Sequence, residues 1–297
     1  MELFYDSRDD AYYEKRGLQT LYWLDDLGAK PLDEARPQDE GFLFAGARPL
    51  ADYRRLVARL PLVRDRPGER EPLLRLDAVL DALASANVSL PAPRTWRLPL
   101  DAPLPDDLTF PLFVRTVESS WKRSGSISRV KNAAELEAES AALRRALGWD
   151  ALILAREWLE LAPAGEGRYG PVPQEVRVWI VDGVPLAWSF HYLNVVNRPA
   201  GFPPAEDDLR ILADLASRIG SAFRSRLVVA DFARLRVGGW CFIEAGPGSC
   251  AGTDHEAVFK TVAARLLGEE RTLAADHVGG PLPAQGQGTG RRQEQPT

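Results

Sequence analysis

The chain has 297 residues, 45% of them hydrophobic and 27% charged, ordinary globular proportions that exclude a largely disordered, collagen-like or coiled-coil protein. Acidic residues number 42 and basic ones 37, a formal charge of −5, which argues against a protein built to bind the phosphate backbone of nucleic acid or an anionic membrane surface. At roughly 100 to 200 residues per domain the length suits one large or two modest units, and no apolar run approaches the roughly 20 residues that a bilayer demands.

Residues 1–70 alternate short apolar runs (Leu3 to Tyr5, Leu21 to Leu24, Phe42 to Phe44) with charged, turn-forming stretches, the pattern of a small α/β layer. The start, MELFYDSRDD, lacks the basic-then-apolar run of a secretion signal, and only Cys241 and Cys250 are present; both features predict a cytoplasmic protein. From Pro72, the residues Leu73, Leu76, Val79, Leu80 and Leu83 recur at spacings of three and four, predicting an amphipathic helix that stops by Pro91. The Pro- and Asp-rich stretch 98–111 cannot hold a regular ladder, because proline lacks the backbone donor, and it marks a domain junction.

Beyond the junction, PLFVRTV (111–117) predicts a short buried strand and ESSWKRSGSISRVKN (118–132) a polar loop. A helix follows, entered through Asn132 as N-cap with Glu135 three residues on. ALILAREWLEL (151–161) reads as a strand, 162–173 as a Gly/Pro-rich insertion, and EVRVWIVDGVPLAWSFHY as a hairpin turning at Asp182-Gly183. A helix over 207–223, a second hairpin (RLVVADFARLRVGGWCFIEAG) and a helix over about 254–268 complete the ordered part, and a Gly/Pro/Gln-rich tail follows.

The second hairpin carries the sharpest chemical signal. A Val237-Gly238 loop pairs Arg236 with Gly239, and counting outward sets Asp231 opposite Glu244. Facing carboxylates repel, so on strands otherwise apolar they call for a cation, and oxygen ligands favour a hard ion such as magnesium shared with phosphates. A one-residue slip or a bulge would instead separate them into ordinary acids. The loop after PLFVRTV gathers Lys122, Arg123, Arg129 and Lys131 among small residues, a composition that suits either closure over phosphates or a solvated basic loop. It is no Walker A loop. Of the 37 basic residues only five are lysine (Lys15, Lys30, Lys122, Lys131, Lys260), so arginine is this chain's ordinary cation. His191, His255 and His277 are scattered without zinc-ligand spacing, no GxSxG elbow occurs, and Trp158, Trp179, Trp188 and Trp240 fall on strands where core packing is the simpler role.

Taken in order, these segments resemble the ATP-grasp superfamily of carboxylate ligases over about Pro72 to Leu267. FPLFVRT resembles the strand that normally ends in a lysine touching the ATP α-phosphate, which places Arg115 there. Arg75, 16 residues before Pro91, falls where an earlier lysine of the family stands. The resemblance is thus to subgroups with arginine at a core lysine position. It further implies a phosphate loop around Lys122, Ser124, Gly125 and Ser126, and a hinge strand at Glu157, Trp158 and Leu159 whose backbone meets the adenine edge. Glu175 would hold the ribose hydroxyls, Arg177 would face phosphate or acyl phosphate, and Asp231 and Glu244 would be magnesium ligands. The asparagine usual two residues after the glutamate is Gly246 here, which leaves a ligand missing or supplied by another residue such as Ser249.

The implied architecture is an α+β ATP-grasp fold: an N-terminal α/β domain (1–97), a central lobe (98–165) and a C-terminal lobe (166–270) gripping the nucleotide, and a disordered tail (271–297). The implied activity is Mg2+- and ATP-dependent ligation. A small-molecule or peptide carboxylate is activated as an acyl phosphate with Arg115, Lys122 and Arg177 as catalytic cations, then joined to an amine with release of ADP and phosphate. An ATP-binding protein of the same fold without turnover, and a non-enzymatic interaction module, are the alternatives. Neither nucleic acid nor membrane is an expected partner, and the substrates and oligomeric state are left open.

Overall fold

The computed structural model describes residues 1–6, 20–46, 50–60, 62–117, 129–147, 151–167, 170–191, 203–253, 255–269 and 279–283. Its first sheet has the all-parallel order β2-β1-β3-β4, from β1 (Glu2–Tyr5), β2 (Lys30–Pro31), β3 (Glu40–Phe44) and β4 (Leu62–Val63). Helices α1 (Thr20–Asp25), α2 (Leu50–Val57) and α3 (Pro67–Arg70) accompany it. Both faces of a parallel sheet are buried, so its strands run apolar throughout. Phe4, Leu43 and Ala45 pack on Tyr53, Leu56 and Val57 of α2, whereas Leu3, Phe42 and Phe44 face the opposite way into another cluster.

Helix α4 spans Leu76–Ser85, and Glu71–Leu73 ahead of it forms a separate 3-10 turn. The helix therefore begins later than Pro72, with Arg75 extended (φ −135°) at its N-cap. Beyond it, β5 (Thr95–Leu98), β6 (Leu112–Thr116), β7 (Arg129–Val130) and β8 (Ile153–Glu157) form an antiparallel sheet in the order β5-β8-β6-β7. Helix α5 (Ala133–Leu147) begins as its capping residues dictate: Glu135 N–H donates to Asn132 Oδ1 at 2.9 Å, and the Glu135 carboxylate accepts from Lys131 N–H at 2.8 Å. Leu136 and Leu143 of α5 cover Trp96, Leu98, Leu112, Val114, Ile153 and Ala155 on one face of this sheet. By the alternation of a strand, Phe113, Arg115, Leu154 and Arg156 project from the other face.

The Gly/Pro-rich insertion is a two-stranded ribbon, β9 (Pro163–Gly167) with β10 (Gly170–Pro173). The third sheet has the order β14-β13-β11-β12-β15, all antiparallel, built from β11 (Glu175–Val181), β12 (Val184–Phe190), β13 (Leu227–Arg234), β14 (Trp240–Pro247) and β15 (Gly279–Pro281). Strand β15 lies inside the stretch expected to be a disordered tail, and its pairing with β12 gives those residues a place in the sheet. The β11–β12 turn has Asp182 and Gly183 at φ +51° and +79°, the left-handed pair that a tight hairpin requires. Helix α6 (Glu206–Ala222) buries Leu212, Leu215, Ala216 and Ile219 on one face of the sheet with Val176, Val178, Ile180, Ala230 and Phe232. Helix α7 (Glu256–Leu267) and the N-terminal sheet cover the other face at Trp179, Val181, Leu227 and Val229. Among the described residues no helix is long and apolar enough to cross a membrane.

Helix α4 is the wedge between the two larger sheets. Val79 and Leu83 join the core of the third sheet, and Leu76 meets Val117 and Leu154 on the second. Docking of the N-terminal sheet rests on apolar burial at about 1.5–3 kcal/mol for each fully buried large side chain. Pairs such as Lys30–Glu2, with both side chains 41% exposed, add about 0–1 kcal/mol. A polar knot reinforces this junction. Arg70, fully buried over the Tyr53 ring, donates to Ser249 Oγ at 3.0 Å, while Ser225 and Ser249 hydroxyls donate to Asp65 at 2.6 and 3.4 Å.

Burial raises the Asp65 carboxyl to about 6 despite the Ser225 hydrogen bond and the Arg70 charge. A carboxyl raised in the fold binds its proton more tightly there than in the unfolded chain, where it titrates near 3.9. Its contribution to stability is therefore present at acid pH and is lost as pH rises through about 6. Urea unfolding of wild type and Asp65→Asn across pH 4 to 8 checks this: the stability difference, wild type minus variant, should fall between about pH 4 and 6 and be flat above about pH 7.

Candidate functional site

One face of the third sheet changes character along its length. On β11 the residues facing α7, Trp179 and Val181, give way two and four positions earlier to Arg177 and Glu175, because alternate residues share a face. Register then sets Arg177 beside Asp231 of β13 and Asp231 beside Glu244 of β14, one charged row across three strands. The predicted opposition of Asp231 and Glu244 therefore holds, though by a different route. The β13–β14 turn is one residue longer than counted, pairing Arg234 with Trp240, and a bulge between Asp231 and Phe232 restores the register. The extra residue, Ile243, is the β14 position opposite the bulge.

Each carboxylate of the row meets a guanidinium. Arg177 donates through Nε and Nη2 to the two Asp231 oxygens at 2.9 and 2.8 Å, and through Nη1 to the Gly252 carbonyl at 2.9 Å. Arg115, from β6 of the second sheet, reaches across to Glu244 Oε2 at 2.6 Å. Beside it, Arg156 of β8 donates through Nη1 to the Ile243 carbonyl at 2.7 Å and through Nε to Thr95 Oγ1 at 3.3 Å. The two sheets thus meet through arginines of one and β14 of the other.

Desolvation dominates the electrostatics here. Arg115, Arg156, Glu175 and Asp231 are all at most 4% exposed. Burial works against the Arg177 charge, but the Asp231 charge and hydrogen bonds outweigh it and hold the guanidinium protonated more firmly than usual. Arg156 goes the other way: burial, then the neighbouring Arg115 charge, bring it down to about 10. The described groups balance in sign, with Arg115, Arg156 and Arg177 against Glu175, Asp231 and Glu244.

Other residues singled out in the sequence lie as follows. Glu175 is buried, with its carboxylate 3.7 Å from His191 Nε2, while His191 Nδ1 lies 3.9 Å from Asp231 Oδ2. These three ligand atoms lie within 4.8 Å of one another. Ligand spacing along the chain does not reveal His191, because the β11–β12 hairpin brings it to Glu175 across the ladder, with His191 N–H on the Glu175 carbonyl at 2.9 Å. Arg156, equally absent from the expected site, sits one residue before the hinge glutamate. Its signal in the sequence is a charged residue after the apolar run ILA. Arg75 is half-exposed and pairs in a fork with Asp77 at 3.0 and 2.8 Å, and the adjacent Leu76 N–H donates to Val117 O at 2.8 Å where β6 ends.

At the hinge, the exposed Glu157 accepts from Arg94 N–H at 3.3 Å, and Trp158 carries Arg129 over its ring at 4.7 Å. Trp158 N–H is committed to Pro111 O at 3.2 Å, so the Trp158 backbone group able to face a base edge is its carbonyl. Leu159 follows in the irregular segment before the Leu161–Leu235 bridge. Ser249 does not serve in place of the missing asparagine: its hydroxyl is 2% exposed and engaged by Arg70 and Asp65. Lys122, Ser124, Gly125 and Ser126 lie outside the described residues. Cys241 is buried as a core side chain, its thiol raised to about 11 by burial, and Trp179, Trp188 and Trp240 are core residues too.

The family model of an ATP-grasp domain, family 3 of its clade, matches residues 81–266, more than half of the chain. The structure is similar to that of a RimK domain ATP-grasp protein from Sphaerobacter thermophilus DSM 20745 (TM-score 0.57, 13% identity, covering 90% of this chain and 99% of that one). It is also similar to a D-alanine–D-alanine ligase from Bacillus anthracis (TM-score 0.60, 13% identity, 90% and 96% covered), and to that ligase complexed with ATP (TM-score 0.55, 16% identity, 83% and 86% covered). At these identities the likeness is one of fold. No curated protein matches the sequence significantly.

A buried ion pair broken on one side leaves an uncompensated charge, a loss of about 3–5 kcal/mol. Asp231→Ala should therefore destabilise the fold by that order in urea unfolding. Adding Arg177→Met to Asp231→Ala should recover part of the loss, and strictly additive losses would contradict the pairing.

Proposed function

Because the chain belongs to the ATP-grasp domain family, in family 3 of its clade, we propose that it binds ATP with magnesium in the cleft between the second and third sheets and ligates a carboxylate to an amine. The observation that carries this reading is the Asp231–Glu244 pair, two buried carboxylates on adjacent strands at the seam, each met by a movable cation. The donor chemistry fits a hard ion that takes oxygen ligands. The balance of three guanidiniums against three carboxylates further favours a metal that arrives with the phosphates over one held by protein alone. When bound, magnesium supplies Lewis-acid polarisation of a phosphoryl oxygen.

This chain's own residues do the rest. Arg115 exchanges Glu244 for a phosphoryl oxygen, so that the carboxylate is released to its ligand role as the nucleotide enters. Lys122, with Ser124, Gly125 and Ser126, closes over the phosphates from the loop after β6, offering amide and ammonium donors. Arg75, at the mouth of that loop, adds charge. The Trp158 carbonyl and the backbone of Leu159, next to Glu157, meet the adenine edge, and Glu175 accepts from the ribose hydroxyls. Arg177, anchored on Asp231 and the Gly252 carbonyl, faces the transferring group and steadies negative charge on the acyl phosphate and on the tetrahedral species that an amine forms from it. The substrates in this reading are a small-molecule or peptide carboxylate and an amine, and ADP and phosphate are the products.

Calorimetric titration with ADP, with and without magnesium, tests the site. Wild type should bind at least tenfold more tightly with magnesium, and Glu244→Gln, checked for an unchanged melting curve, should lose that dependence. Absence of nucleotide binding by the wild type would overturn the reading. Binding without ADP release across a panel of amino acids and peptides supplied with ATP would reduce it to nucleotide binding without turnover, a reading that Gly246 in the asparagine position favours.

A further inference from the structure

We infer that Arg156 is a second phosphate-facing cation, donating from its free guanidinium edge to an anionic phosphoryl oxygen of the bound nucleotide beside Arg115; this rests on the proposed nucleotide site. Register fixes the juxtaposition. On the antiparallel β6–β8 ladder Phe113 pairs with Arg156 and Arg115 with Leu154, so the two arginines stand diagonally on the same face of the second sheet, the one turned toward β14. Nothing in the family-shaped reading of the hinge uses this residue.

Its hydrogen bonds do not close. Nη1 is satisfied by Ile243 O and Nε by Thr95 Oγ1, while Nη2 is buried without an acceptor, on a side chain only 3% exposed. A charged donor held out of water with no partner is strongly unfavourable, and here it is aggravated by a like charge alongside. Support for the β14 bulge does not require it, because Nη1 alone makes that contact. Glu244 does not relieve it, being engaged by Arg115. Two adjacent guanidiniums in a dry cleft make a strongly positive spot, and an oxygen carrying negative charge is the acceptor that gains most there, since charge-assisted hydrogen bonds are the strong ones. A neutral base nitrogen would satisfy the donor but not the paired charge.

The test compares ADP with adenosine, which lacks the phosphates, on wild type, Arg156→Met and Arg156→Lys in the presence of magnesium. ADP is followed by calorimetry, adenosine by NMR titration, and the fold by thermal melting. Arg156→Met should lose roughly 10- to 100-fold in ADP affinity, with adenosine affinity unchanged within about twofold. Arg156→Lys, which keeps the charge in a more compact form, should recover part of the loss; if the methionine variant does not fold, the lysine and glutamine variants carry the comparison. Unchanged ADP affinity, or equal losses for ADP and adenosine, would overturn the inference and leave the nucleotide site standing. A wild type that binds neither would overturn both.

Discussion

Buried charge governs this molecule's seam. Asp231 and Glu244 stand side by side on β13 and β14 out of reach of bulk water, a placement that is untenable without compensating cations. Arg177, on the same sheet, forks onto Asp231, and Arg115 crosses from the second sheet to Glu244. The second of these contacts spans the cleft between the sheets. The requirement that satisfies the charges therefore also brings together the two surfaces between which a nucleotide would lie. The same cations are the groups a nucleotide would recruit, so unliganded packing and ligand recognition draw on one set of residues.

The third sheet divides its labour along each strand. Toward one end, Trp179, Val181, Leu227 and Val229 bury apolar surface against α7 and the N-terminal sheet; toward the other, the same face carries Glu175, Arg177 and Asp231. The loop after β14 links the two regions. Its Gly252 carbonyl accepts from Arg177 in the site, and Ser249 three residues earlier is gripped by Arg70 within the N-terminal junction. A shift of the N-terminal sheet would thus be felt at Arg177 through a few residues of backbone.

Much of this is legible in the sequence because it rests on periodicity and turn chemistry. Asp182-Gly183 forces the hairpin it predicts, Asn132 and Glu135 cap the helix they announce, and the order of segments over Pro72 to Leu267 carries the superfamily. The Asp231–Glu244 pairing emerges correctly from a count in which a longer turn and a compensating bulge at Ile243 cancel. Bulges leave no clear mark on side-chain alternation, so that cancellation is not readable. What escapes entirely is contact made across the fold: His191 against Glu175 over a ladder, Arg156 against a carbonyl of another sheet, and Ser249 drawn into the Arg70 and Asp65 knot. Spacing along the chain says nothing about such partners.

The central claim is that the arginine–carboxylate pairs at the seam open to receive a magnesium nucleotide. A crystal structure of the protein with ADP and magnesium tests it most directly. The account predicts a metal ion held by Asp231 and Glu244 together with phosphate oxygens, and Arg115 turned from Glu244 onto the nucleotide. Nucleotide bound elsewhere, or bound in the cleft with Arg115 still on Glu244 and no metal at the two carboxylates, would contradict it.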